Sequence, residues 1–264
     1  MKFGLTALTF ALAACSTTMV FAEDKATLPF GLELTGTAAL TSDYRFRGVS
    51  QTESGPAVQA GLVLTQESGL YAGVWGSNVK FYTPPGTPTG SATEKANLEL
   101  DPYLGYAGSL DFVPGKPNLD VGMWYYAYPN AKDLNWLEYY AKLGFNDAVV
   151  AGDNILATVN FTNEFVGTEN NAWYFSLGYA LPFGESGFGA NATVGYTKAS
   201  DYDFNKGKDH YVDWKAGITY SFKAIEGFTA ELAAVGTNID NEGLPHELKR
   251  ANRTGAVFTL TKSF

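Results

Sequence analysis

The feature that most constrains the fold is a strict alternation of apolar and polar residues. Over positions 32–47, the even positions are mostly Leu, Ala, Tyr and Phe, while the odd positions carry Glu, Thr, Asp and Arg. A repeat of two residues places the two sets on opposite faces of a β-strand. We therefore predict one long amphipathic strand here, with Asp43, Arg45 and Arg47 on its polar face.

The same alternation recurs along the rest of the chain. Its register is ambiguous only at 70–79, where both faces are apolar. Together with 32–47 it predicts twelve strands, the other eleven being 58–65, 70–79, 97–106, 118–128, 136–145, 155–165, 173–181, 188–197, 211–222, 228–237 and 254–264.

The connections between these strands alternate between two kinds. Most at one end are short turns, and those at the other end include the longer polar loops 80–94, 198–209 and 238–252. Both chain ends fall on the short-turn side. This plan is typical of an outer-membrane barrel with short periplasmic turns and longer extracellular loops. We predict an all-β, transmembrane, antiparallel up-and-down β-barrel.

A soluble β-sandwich also alternates and is the main competing fold. Two features favour the barrel. The polar faces carry the ionised groups, while the apolar faces carry almost none until the final strand, where Lys262 interrupts the apolar face; and the large aromatic residues gather near strand ends. Such clustering is typical of girdles at the two water–lipid boundaries. The aromatic residues concerned are Tyr44, Phe46, Trp75, Trp124 to Tyr128, Trp136, Tyr139, Trp173, Tyr196, Trp214, Tyr220, Phe222, Phe228 and Phe264.

Composition narrows the function classes. The net charge of −9 argues against a nucleic-acid partner, which needs a basic footprint. A single cysteine and two histidines predict neither a disulfide framework nor a metal centre, and we expect no cofactor. The acidic loop 201–207 departs from a calcium loop in its glycine position, and Val212 stands where the bidentate Glu belongs.

The first 22 residues predict an export signal. Lys2 precedes an apolar stretch, and small residues lead to cleavage between Ala22 and Glu23. An alternative is the lipoprotein-like sequence ending at Cys15, which would leave that cysteine acylated. We expect residues 1–22 to be the signal peptide and residues 23–264 to form a single barrel domain.

Several blocks resemble the TorF family of proteobacterial porins: TSDYRFRGVSQT at 41–52, GPAVQ at 55–59, YAGVWGSN at 71–78, LELDPYLGY at 98–106, YYAYP at 125–129 and the closing KSF at 262–264. The resemblance implies a barrel in the outer membrane of a Gram-negative bacterium that passes small solutes. The final Phe264, on an amphipathic last strand, resembles the assembly signal of outer-membrane proteins, which implies the barrel assembly machinery as a partner.

Charge placement predicts the lining of the barrel. Arg or Lys facing hydrocarbon at the midplane costs about 2–4 kcal/mol, so the charged faces must point inward. The predicted lining is acidic at Asp43, Glu99, Asp101, Asp120, Glu138, Glu164, Asp213 and Glu231, and basic at Arg45, Arg47, Lys142 and Lys215.

Two functions remain open from the sequence. The first is a pore for passive diffusion of small hydrophilic solutes or ions, with a cation preference set by the acidic lining. The second is a non-conducting barrel, closed by charge pairs across its interior, that serves as an adhesin, receptor or structural protein. A hydrolase at Asp209 and His210 is disfavoured because no nucleophile elbow accompanies them. Either barrel could form homo-oligomers through its flat apolar faces.

Overall fold

A computed structural model describes residues 27–82 and 95–264. Twelve antiparallel strands form a closed barrel. They are β1 (Leu32–Thr41), β2 (Ala57–Gln66), β3 (Leu70–Tyr82), β4 (Lys95–Ser109), β5 (Asn118–Tyr126), β6 (Trp136–Asn146), β7 (Asn154–Thr162), β8 (Ala172–Pro182), β9 (Phe188–Ala199), β10 (His210–Ser221), β11 (Phe228–Thr237) and β12 (Gly255–Ser263).

Each strand pairs with its neighbours in the chain, and β12 pairs with β1 to close the ring. At this seam Thr259 lies opposite Thr41, and Ser263 lies opposite Thr37. Phe264 extends the ladder: its N–H donates to the Gly36 carbonyl at 3.0 Å and its carbonyl accepts from Gly36 N–H at 2.8 Å. The predicted twelve-strand up-and-down barrel is confirmed, and the competing sandwich is wrong.

The outer surface of the barrel is apolar. Outward positions along the strands carry large hydrophobic side chains that remain exposed and together form an apolar belt. Its members include Leu34, Leu40, Val58, Leu62, Leu98, Leu100, Leu104, Phe175, Leu177, Val194, Ile218, Leu232 and Phe258.

Ionisable side chains on this outer face lie at strand ends within the described strands. Lys80, Lys95, Lys198 and His210 lie at the long-loop end, and Lys262 lies at the short-turn end. Lys262 Nζ reaches the carbonyl of Glu226 at 2.6 Å and that of Ser263 at 2.7 Å. Its charge therefore leaves the apolar belt, as expected for a long side chain near a boundary.

The two ends of the barrel differ. One end holds the turns 67–69, 110–117, 147–153, 183–187 and 222–227. Strand β1 begins at this end and strand β12 finishes there. The other end holds loops 42–56, 127–135, 163–171, 200–209 and 238–254. A seven-residue helix, His246–Asn252, lies in the last of these loops. In the described part of the chain, no helix has the length and apolarity needed to cross a bilayer.

The first strand is shorter than predicted. It ends at Thr41, and residues 42–56 form a loop with a small hairpin that pairs Arg45–Phe46 with Val49–Ser50. Asp43 stabilises the departure from the sheet, because its carboxylate accepts from Ser50 Oγ at 2.6 Å and Thr52 Oγ1 at 3.2 Å. The prediction that Asp43, Arg45 and Arg47 continue a wall strand is therefore wrong.

The predicted aromatic girdles are wrong for about half of their members. Trp173, Tyr196 and Trp214 do face outward and remain exposed. Another group is buried inside the barrel, because its residues fall on the inward positions of β3, β5 and β6 or in loops that fold inward. That group is Tyr44, Trp75, Trp124, Tyr126, Tyr128 and Trp136, with Phe46 partly buried against it.

Other predictions fall on residues outside the described ranges. The signal peptide 1–22, its cleavage between Ala22 and Glu23, and Cys15 all belong to this group, as does most of loop 80–94.

Candidate functional site

The barrel interior has two unlike halves. The half next to the short turns is lined by half-buried hydroxyl side chains, among them Thr35, Thr158, Thr193, Thr219 and Thr261. A cavity of about 710 Å³ lies at this end, bordered by Ala180, Gly189, Thr219, Thr229 and Ser263. Neutral hydroxyl groups can exchange hydrogen bonds with water, so this half has the lining of a polar vestibule.

Loop 42–56 folds into the half of the barrel next to the long loops and narrows its interior. The side chains of Arg45 and Arg47 are each only 5% exposed. Gly48, in this loop, lies against strand β11. A Cβ added to Gly48 would lie 2.6 Å from Thr237 Cγ2 and 2.8 Å from the Gly236 carbonyl oxygen. The loop thus reaches from β1 across to β11 at close contact.

Arg47 is the most elaborately held residue of this loop. Its Nη2 lies 2.6 Å and 2.8 Å from the two carboxylate oxygens of Glu138 on β6. Its guanidinium carbon lies 4.1 Å from the centre of the Tyr174 ring on β8, which is cation–π geometry. Asn160 Nδ2 and Tyr126 Oη also donate to Glu138 Oε1, at 2.6 Å and 3.3 Å. Strand residues therefore hold a charged group of the loop.

Arg45 fixes the loop to the opposite side of the interior. Its Nε donates to Asp43 Oδ2 at 2.6 Å, and Nη1 lies 2.8 Å and 2.9 Å from the carbonyl oxygens of Ala251 and Arg253. These two carbonyls belong to the end of loop 238–254, so Arg45 joins the first and last long loops.

Two further ion pairs lie deeper in the barrel. Lys142 Nζ lies 3.4 Å from Asp120 Oδ2, and Tyr71 Oη also donates to the Asp120 carboxylate. Across the interior, Lys215 Nζ lies 2.7 Å from Glu231 Oε1, which also accepts from Asn191 Nδ2 at 2.7 Å. With Arg45 and Arg47, all four predicted basic lining residues have a carboxylate partner.

Three inward carboxylates form no salt bridge with a basic side chain within the described residues: Glu99, Asp101 and Asp213. Of these, Asp213 still lies near enough to Arg47 to interact with its charge. Neutral donors approach them instead. Tyr128 Oη donates to Glu99 at 3.0 Å, and Trp124 Nε1 donates to Asp101 at 2.9 Å. Glu99 Oε2 and Asp213 Oδ2 are buried without a hydrogen-bond partner in the described part of the chain. The described interior therefore contains more carboxyl groups than basic side chains.

The half next to the long loops also contains an aromatic cluster. Trp136 stacks on Tyr126 with ring centres 4.2 Å apart, and Trp124 stacks on Tyr103 at 4.3 Å. Phe46 from the folded-in loop meets the edge of Tyr126 at 5.5 Å. The cluster therefore packs the loop against the wall on the β3 to β6 side.

Most of the predicted lining residues point into the barrel, and one does not. Glu164 is exposed in loop 163–171, because β7 ends at Thr162, whose Oγ1 accepts from Glu164 N–H at 3.0 Å. Sequence reasoning missed Asn160 and Tyr174 as partners of the charged groups. The alternation does put both on inward positions, but an uncharged side chain gave no reason to single them out.

The outer loops hold a small charged group beside the barrel mouth. Asp209 lies 2.6 Å from Lys198 Nζ and 2.8 Å from His210 Nδ1. The hydrogen bond from Lys198, together with that to His210, lowers the pKa of Asp209 to about 2. Within residues 27–82 and 95–264, no group of three or more His, Cys, Asp or Glu residues is arranged to hold a metal ion.

Fold and interior together define the class: a closed twelve-stranded barrel with an apolar exterior and a charged interior. A family model described as "Bacterial protein of unknown function (Gcw_chp)" matches residues 24–264, and the chain belongs to this family. The family description does not name the TorF porins, so that resemblance stays a prediction. A comparison of the sequence with curated proteins finds no match.

Among solved structures, the barrel is similar to the NanC porin, with a TM-score of 0.51 and 12% identity over 86% of this chain and 97% of that one. An outer membrane channel from Pseudomonas putida F1 gives a TM-score of 0.46 and 11% identity, covering 93% and 100% of the two chains. LpxR from Salmonella typhimurium gives 0.40 and 9%, covering 87% and 99%. At such identities the NanC likeness concerns the fold alone.

Proposed function

We propose that this protein is a narrow, cation-preferring channel of the Gram-negative outer membrane that passes small hydrophilic solutes or ions. The observation that carries the proposal is the charge count of the interior. Among the described residues, each of the four basic lining side chains forms a salt bridge with a carboxylate, while Glu99, Asp101 and Asp213 form none. Fixed negative charge inside a pore raises the local concentration of cations and excludes anions.

The apolar belt supports the membrane location. In a closed barrel the backbone N–H and C=O groups of every strand are hydrogen-bonded to neighbouring strands. The exterior therefore presents only side chains, and apolar ones can lie in hydrocarbon. In such barrels the short turns face the periplasm and the long loops face the outside. Loop 42–56 would then narrow the outer half, and the hydroxyl-lined vestibule would open to the periplasm.

A partner is proposed for the chain terminus. The exposed ring of Phe264 lies on the apolar exterior against Gly36, whose added Cβ would come within 2.6 Å of that ring. An accessible terminal aromatic at the seam suits recognition by the barrel assembly machinery before closure.

The test is electrical recording across a planar bilayer with the refolded full-length protein. In a salt gradient we expect the reversal potential to shift toward the equilibrium potential of the cation, as it does for a cation-selective pore. In the variant Glu99→Gln/Asp101→Asn/Asp213→Asn this potential should move toward zero, because the unmatched charges are gone. A matched control is Asp111→Asn, which removes one carboxylate from an exposed turn and should leave the selectivity unchanged.

The low exposure of the outer half favours a second candidate, a non-conducting barrel that displays its loops. Liposome swelling in graded sugars separates the two, since only an open pore gives swelling that falls with solute size. Absence of both current and swelling would overturn the channel and leave the non-conducting barrel.

A further inference from the structure

Most of the cage around the Arg47 guanidinium is built by the barrel wall. The loop that carries Arg47 adds only the Phe46 ring, whose centre lies 4.7 Å from the guanidinium carbon. Glu138 lies on β6, Asn160 on β7, Tyr174 on β8 and Tyr126 on β5. All four are inward positions of continuous strands, so their placement is set by the sheet register and does not depend on loop 42–56.

The chemistry of the cage suits one kind of group. A carboxylate takes charge-assisted hydrogen bonds from a guanidinium nitrogen, and the Tyr174 face lies 4.1 Å from the guanidinium carbon. Asn160 Nδ2 fixes the carboxylate from the side at 2.6 Å, while Asn160 Oδ1 is buried without a hydrogen-bond partner in the described residues. A planar cation that donates in several directions therefore matches the cage better than a metal ion does.

The loop holds Arg47 in this cage under strain. Arg47 has φ of +47° and Gly48 has φ of +81°, so one non-glycine residue adopts the left-handed conformation at the point of contact. The backbone is held in part by Tyr211 Oη, which donates to the Arg47 carbonyl at 3.2 Å. A strained tether that lies in a rigid cage can be displaced by a free molecule of the same chemistry.

We infer that Glu138, Asn160, Tyr126 and Tyr174 form a binding site for solutes that carry a guanidinium group, and that Arg47 occupies this site as a tethered competitor. A free guanidinium solute would take the cage from Arg47 and release loop 42–56 from the outer half. The binding part stands on the cage alone. The release part rests on the proposed channel function.

Binding is tested without conduction, on the refolded full chain in detergent micelles. Trp136 stacks on Tyr126, so tryptophan emission reports on the cage. Guanidinium chloride is titrated in the millimolar range against sodium chloride and ammonium chloride at equal ionic strength. We expect a saturable, guanidinium-specific change in Arg47→Ala, a much weaker one in the wild type, and at least about tenfold weaker binding in Arg47→Ala/Glu138→Gln, which lacks the charged acceptor.

Two further variants complete the binding experiment. Lys206→Ala removes a cation from the exposed outer loops, where Lys206 lies 2.8 Å from Asp240, and should behave as the wild type. Gly48→Ala displaces the loop tip without changing the cage, so it should bind guanidinium as Arg47→Ala does. It also serves if Arg47→Ala fails to fold, which a heat-dependent shift on an SDS gel reveals. Equal, non-saturating responses of all variants would overturn the site.

Conduction then separates the two proposals. Guanidinium should raise the open fraction of wild-type channels and should interrupt the current of Arg47→Ala. Saturable guanidinium binding without current in any variant would support the binding site and overturn the channel function. Cation-selective current with no saturable binding would do the opposite.

Discussion

At the scale of single residues, burial decides the importance of a charge. Glu138 illustrates this, because its side chain is 1% exposed and holds Arg47, Asn160 and Tyr126 together. Exposed pairs such as Lys198 with Asp209 gain little, since water competes for both partners. The buried pair has no such competitor, and loss of one partner leaves the other without solvent.

Substitution at this pair should show strong coupling. We expect Glu138→Gln to lower the free energy of unfolding by about 3 kcal/mol, because Arg47 would remain as a buried unmatched charge. The double variant Arg47→Met/Glu138→Gln should lose less than the sum of the two single changes. Urea unfolding in detergent measures this cycle, and additive losses would show that the pair is not coupled.

Gly48 provides a second prediction at this scale. An alanine there adds a left-handed strain and also a clash with Thr237 and the Gly236 carbonyl, whereas Gly243, at φ +78°, has open space around it. We expect Gly48→Ala to cost about 1–3 kcal/mol more than Gly243→Ala. Limited proteolysis should cut loop 42–56 faster in Gly48→Ala alone. Equal behaviour of the two variants would mean that the loop tip has room to move.

At the scale of elements, each turn and loop has its own device for holding its shape. The turn 147–153 uses Asp153, whose carboxylate accepts from Ala148 N–H at 2.6 Å, Val150 N–H at 2.9 Å and Tyr179 Oη at 2.8 Å. Burial acts to raise the pKa of Asp153, but these donors outweigh it and the pKa is lowered. The ionised carboxylate is therefore part of the turn.

This turn predicts a pH dependence. Because the folded pKa of Asp153 lies below its unfolded value of about 3.9, the carboxylate stabilises the fold above that pH and the stabilisation is lost as the pH falls through the folded pKa. The wild type should exceed Asp153→Asn in urea midpoint at pH 7, and the difference should shrink in strong acid. Asp111→Asn, in the exposed turn 110–117, is the control for loss of a surface charge. A difference independent of pH would contradict the role of the ionised form.

The folded-in loop is the element on which the proposed channel depends most. Replacing residues 43–51 by a short Gly–Ser segment removes Arg45 and Arg47 from the interior and leaves every residue pair that β1 makes with β2 and β12 in place. We expect the barrel to keep its heat-dependent gel shift while its conductance rises several-fold, because the outer half loses its obstruction. A closed barrel with unchanged conductance would show that another segment narrows the pore.

At the scale of the whole molecule, closure is what makes a polar interior and an apolar exterior compatible. The seam between β12 and β1 leaves no free edge in the ring, and the Phe264–Gly36 pair of backbone hydrogen bonds lengthens it. We expect the folded protein to migrate faster on an SDS gel until it is boiled. A chain lacking residues 255–264 should lose that shift because β11 and β1 would be left as open edges. Persistence of the shift in the shortened chain would contradict closure through this seam.

The sequence by itself determined the strand count, the two faces and the closed architecture. Alternation needs no knowledge of remote contacts, because successive side chains of a strand point to opposite faces. The position of a residue in the alternation therefore assigns it either to the interior or to the exterior. That is why Glu99, Asp101 and Glu138 could be assigned to the interior from their spacing, and why Leu100 and Leu104 could be assigned to the exterior.

Only the tertiary structure decided what the interior does with its side chains. The alternation at 42–47 continues that of β1, yet the chain leaves the sheet there, because Asp43 is satisfied by Ser50 and Thr52 and Arg47 by Glu138. The clustering of aromatic residues near strand ends predicted that Trp124 and Trp136 lie at a lipid boundary. In the structure both are buried inside the barrel, in the half next to the long loops. Partners that are remote in sequence, such as Arg47 with Glu138 and Tyr174, meet only once the ring has closed, and no local pattern specifies which inward residues will face each other across it.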